Sequence, residues 1–189
     1  MKLTIRRTIE KGFTLVELLI VVIILAILAA IVVPQFASST DDAGVSSLDT
    51  TLNNVRASIE LYKHQHGDYP GKNTAVASSC PNSGTAGTGT GVLTDSVTFM
   101  DQMAMYTDKD GKACSTTDAA FKFGPYLKKR NFEANPITAD NVIVMLSTGD
   151  LVMAGDNPAA GWKFDVLTGR FIANDSVNVD IDGNTYDSH

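Results

Sequence analysis

Three groups of side chains in this 189-residue chain have types and spacings that could do chemistry. The first is Gly12, Phe13 and Glu17. Leu18 to Val33 is an unbroken run of sixteen apolar residues, and counting from Phe13 only Thr14 and Glu17 interrupt it. A carboxylate costs on the order of 2.5–3.5 kcal/mol at the centre of a bilayer and less near its edge. An acid kept in such a run points to pairing with a cation, set against the plainer reading of an acid that snorkels to the interface. The second group is Cys80 and Cys114. The third is Asn178-x-Asp180-x-Asp182-Gly183, with oxygen-bearing side chains on alternate residues ahead of a glycine. That is the first half of a Ca²⁺ loop, with His189 where the loop's last Glu would stand; the competing reading is a set of Asx turns. His64 and His66 lie two apart, on different sides of a helix, and make no zinc pair. No Cys-x-x-Cys, no His-Glu-x-x-His, no phosphate loop and no recognisable Ser-His-Asp arrangement occurs, so an enzyme is not expected.

The element that must carry Glu17 is the apolar run itself. Phe13 to Val33 is twenty-one residues, which at about 1.5 Å per residue reach roughly 31 Å, the thickness of a bilayer's hydrocarbon core. The run is longer than a secretory h-region and holds an acid, which argues against a cleaved signal of the ordinary kind. Val, Ile and Leu all round it exceed what a chain of this size would bury as a core helix. Lys2, Arg6, Arg7 and Lys11 against Glu10 make the residues before Phe13 net +3, so the remainder carries −9 of a total of −6. Basic residues ahead of the span hold that end in the cytoplasm and place the acidic remainder outside. Such a remainder is a poor partner for nucleic acid, and the one basic run, Lys128-Lys129-Arg130, reads as a solvated helix end.

The remainder is long enough for one domain. Helix continues past Pro34, where a kink is expected because proline lacks the N–H and crowds the preceding turn. Leu48, Leu52, Val55, Ile59 and Tyr62 recur at helical spacing and form one buried face, ending near His66-Gly67 with Pro70 as a stop. Residues 71–93, rich in Gly, Ser and Thr, read as a variable surface loop with little to bury. A short helix is expected from about Thr94 to Tyr106, with Met100 and Met103 as core. Strands follow over about 141–182: Val142–Leu146 turning at Thr148-Gly149-Asp150 into Leu151–Met153, then Trp162–Val166 turning at Leu167-Thr168-Gly169 into Arg170–Ile172, and an alternating Val177, Val179, Ile181. The expected fold is α+β: one long helix packed on an antiparallel sheet of three to four strands. Two cysteines in a domain outside the cytoplasm read most simply as one disulfide, Cys80 to Cys114, against the alternative of two free thiols.

Lys11-Gly12 before Phe13-Thr14-Leu15-Val16-Glu17, the apolar stretch and Pro34 closely resemble the start of type IV prepilins and type II secretion pseudopilins. Tyr62 with His66-Gly67-Asp68-Tyr69-Pro70, and Gly124-Pro125-Tyr126-Leu127-Lys128-Lys129 with Trp162 and Thr168-Gly169 further on, resemble the downstream pseudopilin pattern. The resemblance is strong over about the first sixty residues and loose beyond. It implies the pilin fold and three segments: 1–12 a leader that is removed, 13–34 a membrane and assembly helix, 35–189 a periplasmic or extracellular domain. It also implies cleavage between Gly12 and Phe13 by a prepilin peptidase, N-methylation of Phe13, and pairing of Glu17 with the Phe13 ammonium of a neighbouring copy. The implied partners are copies of itself, other pilins or pseudopilins, and an inner-membrane assembly platform. The implied site of residence is the inner membrane as a single-pass protein, then a filament. The expected function is a structural subunit of a type II secretion pseudopilus; the alternatives are a type IV pilus subunit and a minor tip subunit acting as a binding module. Calcium binding in a C-terminal loop is a property of major pseudopilins, and supports Asn178, Asp180 and Asp182 as ligands.

Overall fold

The computed structural model describes residues 12–156 and 160–189 and, for 33–40, the helical backbone only. The basic residues Lys2, Arg6, Arg7 and Lys11, read as part of an expected leader, therefore lie outside the described residues, as does the Pro34 side chain on which the expected kink rests. The elements are α1 (Leu15–His66), a 3₁₀ turn (Pro81–Ser83), α2 (Ser96–Ala104), β1 (Tyr106–Thr107), β2 (Ala113–Cys114), β3 (Ile143–Leu146), β4 (Trp162–Asp165), β5 (Phe171–Ala173) and a second 3₁₀ turn (Tyr186–Ser188). The chain divides between Thr40 and Asp41 into two compact units.

In the first unit α1 carries the unbroken apolar run Leu18 to Val33. Leu15–Val32 has a mean hydropathy of 3.3 and none of it is buried, so this helix is long and apolar enough to cross a membrane. A helix with no polar face has no preferred side to turn toward a soluble core, and its burial must come from lipid or from other chains.

In the second unit α1 becomes amphipathic. Leu48, Leu52, Val55, Ile59 and Tyr62 are all buried, and they pack with Phe99 and Met103 of α2, Phe132, and Trp162, Phe164 and Phe171 of the sheet. Asp95 caps α2, its side chain accepting from the Val97 N–H. The α+β architecture is thus the one expected, and it is consistent with the pilin fold.

The sheet differs from expectation in its pairing. Its order is β3-β4-β5, with β4 and β5 antiparallel (Phe164 opposite Phe171) but β3 and β4 parallel (Met145 opposite Phe164). The Trp162–Ile172 hairpin forms; the hairpin expected from Val142–Leu146 into Leu151–Met153 does not. Leu151 and Val152 sit in a turn, 72% and 82% exposed. Asp165 explains why. Its buried carboxylate accepts from Thr148 N–H, Thr148 O–H and Gly149 N–H on one oxygen, and from Leu167 and Thr168 N–H on the other. The turn after β3 is thereby held to the end of β4, and the chain must cross over before returning parallel. Gly169 completes this corner at φ +75°, where a Cβ would collide with the Tyr69 ring.

The Gly/Thr-rich segment is also less free than expected. Ala75 and Ala77 are buried, and short bridges join Val76 to Ala113 and Ala86 to Cys114. Asp101, buried on α2, accepts from Thr88 and Gly89 N–H on one oxygen and from Arg130 on the other. A Cβ at Gly89 would strike the backbone of Thr98, so glycine is what lets the loop lie against α2. The Cys80–Cys114 disulfide closes the segment, its ends 34 positions apart in sequence. In the chain-entropy picture a bridge of that span is worth about 3–4 kcal/mol. The exported chain is expected to show no titratable thiol when denatured without reductant, and reduction to lower its unfolding midpoint. Two titratable thiols would refute the bridge.

Candidate assembly site

The residues singled out at the N-terminus lie together at the start of α1. Gly12, Phe13 and Thr14 precede the helix in open backbone, and the Phe13 ring is 88% exposed. Thr14 and Glu17 then form a reciprocal cap. The Glu17 N–H donates to Thr14 Oγ1 at 3.2 Å, while Glu17 Oε2 accepts from the Thr14 N–H and the Thr14 O–H, both at 2.8 Å. The Leu18 N–H reaches the Thr14 carbonyl at 3.2 Å, so Thr14 is the cap and Glu17 the third helical residue. This is the capping box, and it satisfies helix N–H groups that have no partner within the helix. Sequence reasoning passed over it, although Thr-x-x-Glu ahead of an apolar run is its signal.

The cap gives Glu17 a local partner as well as a place. One oxygen, Oε2, takes both Thr14 donors; Oε1 carries neither bond. The carboxylate is fixed at the helix N-terminus, where the backbone dipole favours a negative charge, with Oε1 outside the cap.

At Gly12 nothing among the described residues lies within 4 Å of where a Cβ would stand. Packing among the described residues does not require glycine there.

The third candidate group is not drawn together as metal ligands. The Asn178 side-chain amide donates to Asp175 Oδ2 at 2.8 Å. Asp180 Oδ1 accepts from the N–H groups of Asp182 and Asn184, and its Oδ2 from the Asn184 side chain. His189 Nε2 stands 3.3 Å from the same Oδ2, and its Nδ1 2.9 Å from Asp49. Burial alone would raise the Asp180 carboxyl, but these donors hold it below the usual range. Among the described residues no three His, Cys, Asp or Glu side chains converge as a metal site. A Ca²⁺ ion would have to compete with the donors that already hold Asp180.

Comparison with known proteins bears on the N-terminal part. Residues 7–33 match the prokaryotic N-terminal methylation motif. The chain is 39% identical over 69 residues to a fimbrial protein of Neisseria meningitidis serogroup B, covering 36% of this chain and 41% of the relative. It is 43% identical over 61 residues to type II secretion system core protein G of Pseudomonas aeruginosa, covering 32% and 43%. It is 47% identical over 51 residues to the type IV narrow pilus major component PilA5 of Thermus thermophilus, covering 27% and 44%. The chain thus spans under half the length of these curated relatives. No solved structure matches it. The chain is thus similar, over about a third of its length, to fimbrial and type IV pilus proteins and to a type II secretion core protein, and most of the second unit lies outside the likeness.

Proposed function

We propose that this chain is a structural subunit of a type IV pilin-like filament, held in the membrane by the first part of α1 before assembly and joined to other copies through that same part afterwards. The observation that carries this reading is a helix start capped by Thr14 and Glu17 that leads straight into the unbroken apolar run from Leu18, within a membrane-length window Leu15–Val32. Lipid or like helices are the environments that satisfy such a surface. In a filament of identical helices, Glu17 Oε1 meets the ammonium of a neighbour's Phe13; alone in hydrocarbon each charge is strongly disfavoured, and together they set the register. The reading gives the protein no catalytic role of its own.

Maturation follows from the same residues. A prepilin peptidase cuts after Gly12, and the new Phe13 amino terminus is methylated. Gly12 supports this because no packing among the described residues asks for glycine there; the demand comes from a catalytic site that must approach the backbone closely. The basic leader keeps this end cytoplasmic and the second unit outside.

The finer reading is a pseudopilin of a type II secretion system. It is supported by the 43% identity to core protein G and by the Gly124-Pro125-Tyr126-Leu127 segment, whose Tyr126 and Leu127 N–H groups both donate to Met103 O. A second reading, a surface pilus subunit, is favoured by the bridged Cys80–Cys114 loop, which enlarges the domain, and by the identity to fimbrial proteins over a longer stretch. Deleting the gene in its own host separates them. Loss of protein secretion with surface fibres intact is the pseudopilus outcome, and loss of fibres with secretion intact is the pilus outcome. Neither loss would contradict the filament reading itself.

A further inference from the structure

Residues 178–189 have the spacing of a twelve-residue Ca²⁺ loop, with Asn178, Asp180 and Asp182 at the first, third and fifth places, Gly183 at the sixth and His189 at the twelfth. A Ca²⁺ ion takes about six to eight oxygens, and such a loop supplies them from side chains and from the carbonyl at its seventh place. Here the protein uses those groups itself. Asp180 Oδ1 accepts from the N–H groups of Asp182 and Asn184, and its Oδ2 from the Asn184 amide. The carbonyl at the seventh place, Asn184 O, accepts the Asp180 N–H at 2.9 Å, and Asp180 O accepts the Gly183 N–H at 3.1 Å. Asn178 gives its amide to buried Asp175. The turn from Asp180 to Asn184 is closed on itself.

The twelfth place differs most. A Ca²⁺ loop ends there on a bidentate Glu, whereas imidazole suits softer ions than Ca²⁺. His189 lies between two carboxylates, its Nδ1 2.9 Å from Asp49 Oδ1 on α1 and its Nε2 3.3 Å from Asp180 Oδ2. Its main-chain oxygen accepts from Arg56 Nη2, also on α1, at 2.7 Å, and Arg56 Nε donates to Phe171 O in β5. Between the turn and His189, Tyr186 packs in the core and Asp187 accepts the Gly155 N–H. Nitrogen donors of this chain thus stand at the oxygens that an ion would need, and one of them reaches across to α1.

We propose that residues 178–189 form a metal-free clasp, in which the turn is held by its own donors and His189 pins it to α1 through Asp49. The inference goes beyond the filament reading and stands whether or not the chain assembles. It sets this chain apart from the calcium binding that its resemblance to major pseudopilins implies.

The test uses the full-length chain in detergent micelles, with Ca²⁺ as the added ion. Trp162 fluorescence gives the unfolding midpoint, and hydrogen exchange read by mass spectrometry gives the protection of residues 176–188. A site of the extracellular class, with a Kd of roughly 0.1–1 mM, would raise the midpoint by about 3 °C or more in about 5 mM Ca²⁺. The expected result is one midpoint and one exchange pattern in Ca²⁺ and in chelator. His189→Ala should speed exchange over 176–188 by about tenfold in both conditions and leave β4 protected. Asp49→Ala, on a half-exposed side chain of α1, should act in the same direction without altering the turn itself. A rise in midpoint with Ca²⁺ that Asp180→Ala removes would overturn the metal-free clasp. Wild-type exchange in both the His189 and Asp49 variants would overturn the pin.

Discussion

Glu17→Ala is expected to abolish filament recovery while leaving membrane insertion and the fold of the second unit unchanged. The variant keeps an apolar helix of the same length, so insertion does not depend on the acid. It removes the group that neutralises a neighbour's Phe13 ammonium, and an unpaired charge at an apolar contact is disfavoured by several kcal/mol, enough to remove assembly. The cap complicates the experiment, because Glu17 also holds Thr14. Thr14→Val separates the two roles. It removes the cap's hydroxyl, worth about 1 kcal/mol to a helix end, but leaves the carboxylate. Sheared-filament yield should collapse in the Glu17 variant and fall only modestly in the Thr14 variant, with equal amounts of membrane protein. Equal losses in both would mean that Glu17 acts by capping the helix rather than by pairing.

The second large effect is on stability. Asp165→Ala should destabilise the second unit by about 3 kcal/mol or more, because it strips one acceptor from five donors at a buried corner. For a unit of this size that is a fall of roughly 10 °C in midpoint. The single tryptophan, Trp162, is fully buried in the core, so its fluorescence reports the loss directly. The pH dependence has a fixed sign. Burial pushes the Asp165 carboxyl up, but the Thr148, Leu167, Thr168 and Gly149 donors outweigh it, and the group is held below the usual carboxylate range. Its stabilisation is therefore complete above the unfolded value of about 3.9 and lost as pH falls through the lower folded value. The gap between wild type and variant should be full at neutral pH and narrow in acid. Asp182→Ala, on an exposed side chain, should move the midpoint by no more than about 0.5 kcal/mol equivalent. Equal effects at Asp165 and Asp182 would remove the corner from the account.

The elements that follow local pattern were legible in the chain alone. Leu48 to Tyr62 repeat at helical spacing because one face of α1 is buried, and all five prove buried. The Trp162–Ile172 hairpin and the Cys80–Cys114 bridge could be read from a turn and from a cysteine count. What could not be read depended on distant side chains. The parallel pairing of β3 with β4 is set by Asp165 reaching back to Thr148 and Gly149, whereas turn residues suggest the nearest antiparallel partner. The segment at 73–91 looked empty of core because its order comes from Asp101 and close glycine contacts rather than from large apolar residues. At Val177–Ile181 the alternation suggested a strand, but the segment is shaped by Asx turns and leaves Val177, Val179 and Ile181 exposed. At the start of α1 Gly12, Phe13 and Glu17 stand out by type and spacing, whereas Thr14, which caps the helix with Glu17, reads in the sequence as an interruption of the apolar run.

The mass of the chain recovered from membranes or sheared filaments bears most directly on the claim that this is a processed filament subunit. The expected species begins at Phe13, lacks Met1 to Gly12, and carries one methyl group on its new amino terminus, with the Cys80–Cys114 bridge intact. A mature chain that retains Met1 to Gly12, or that begins beyond the apolar helix near Ser38, would contradict it.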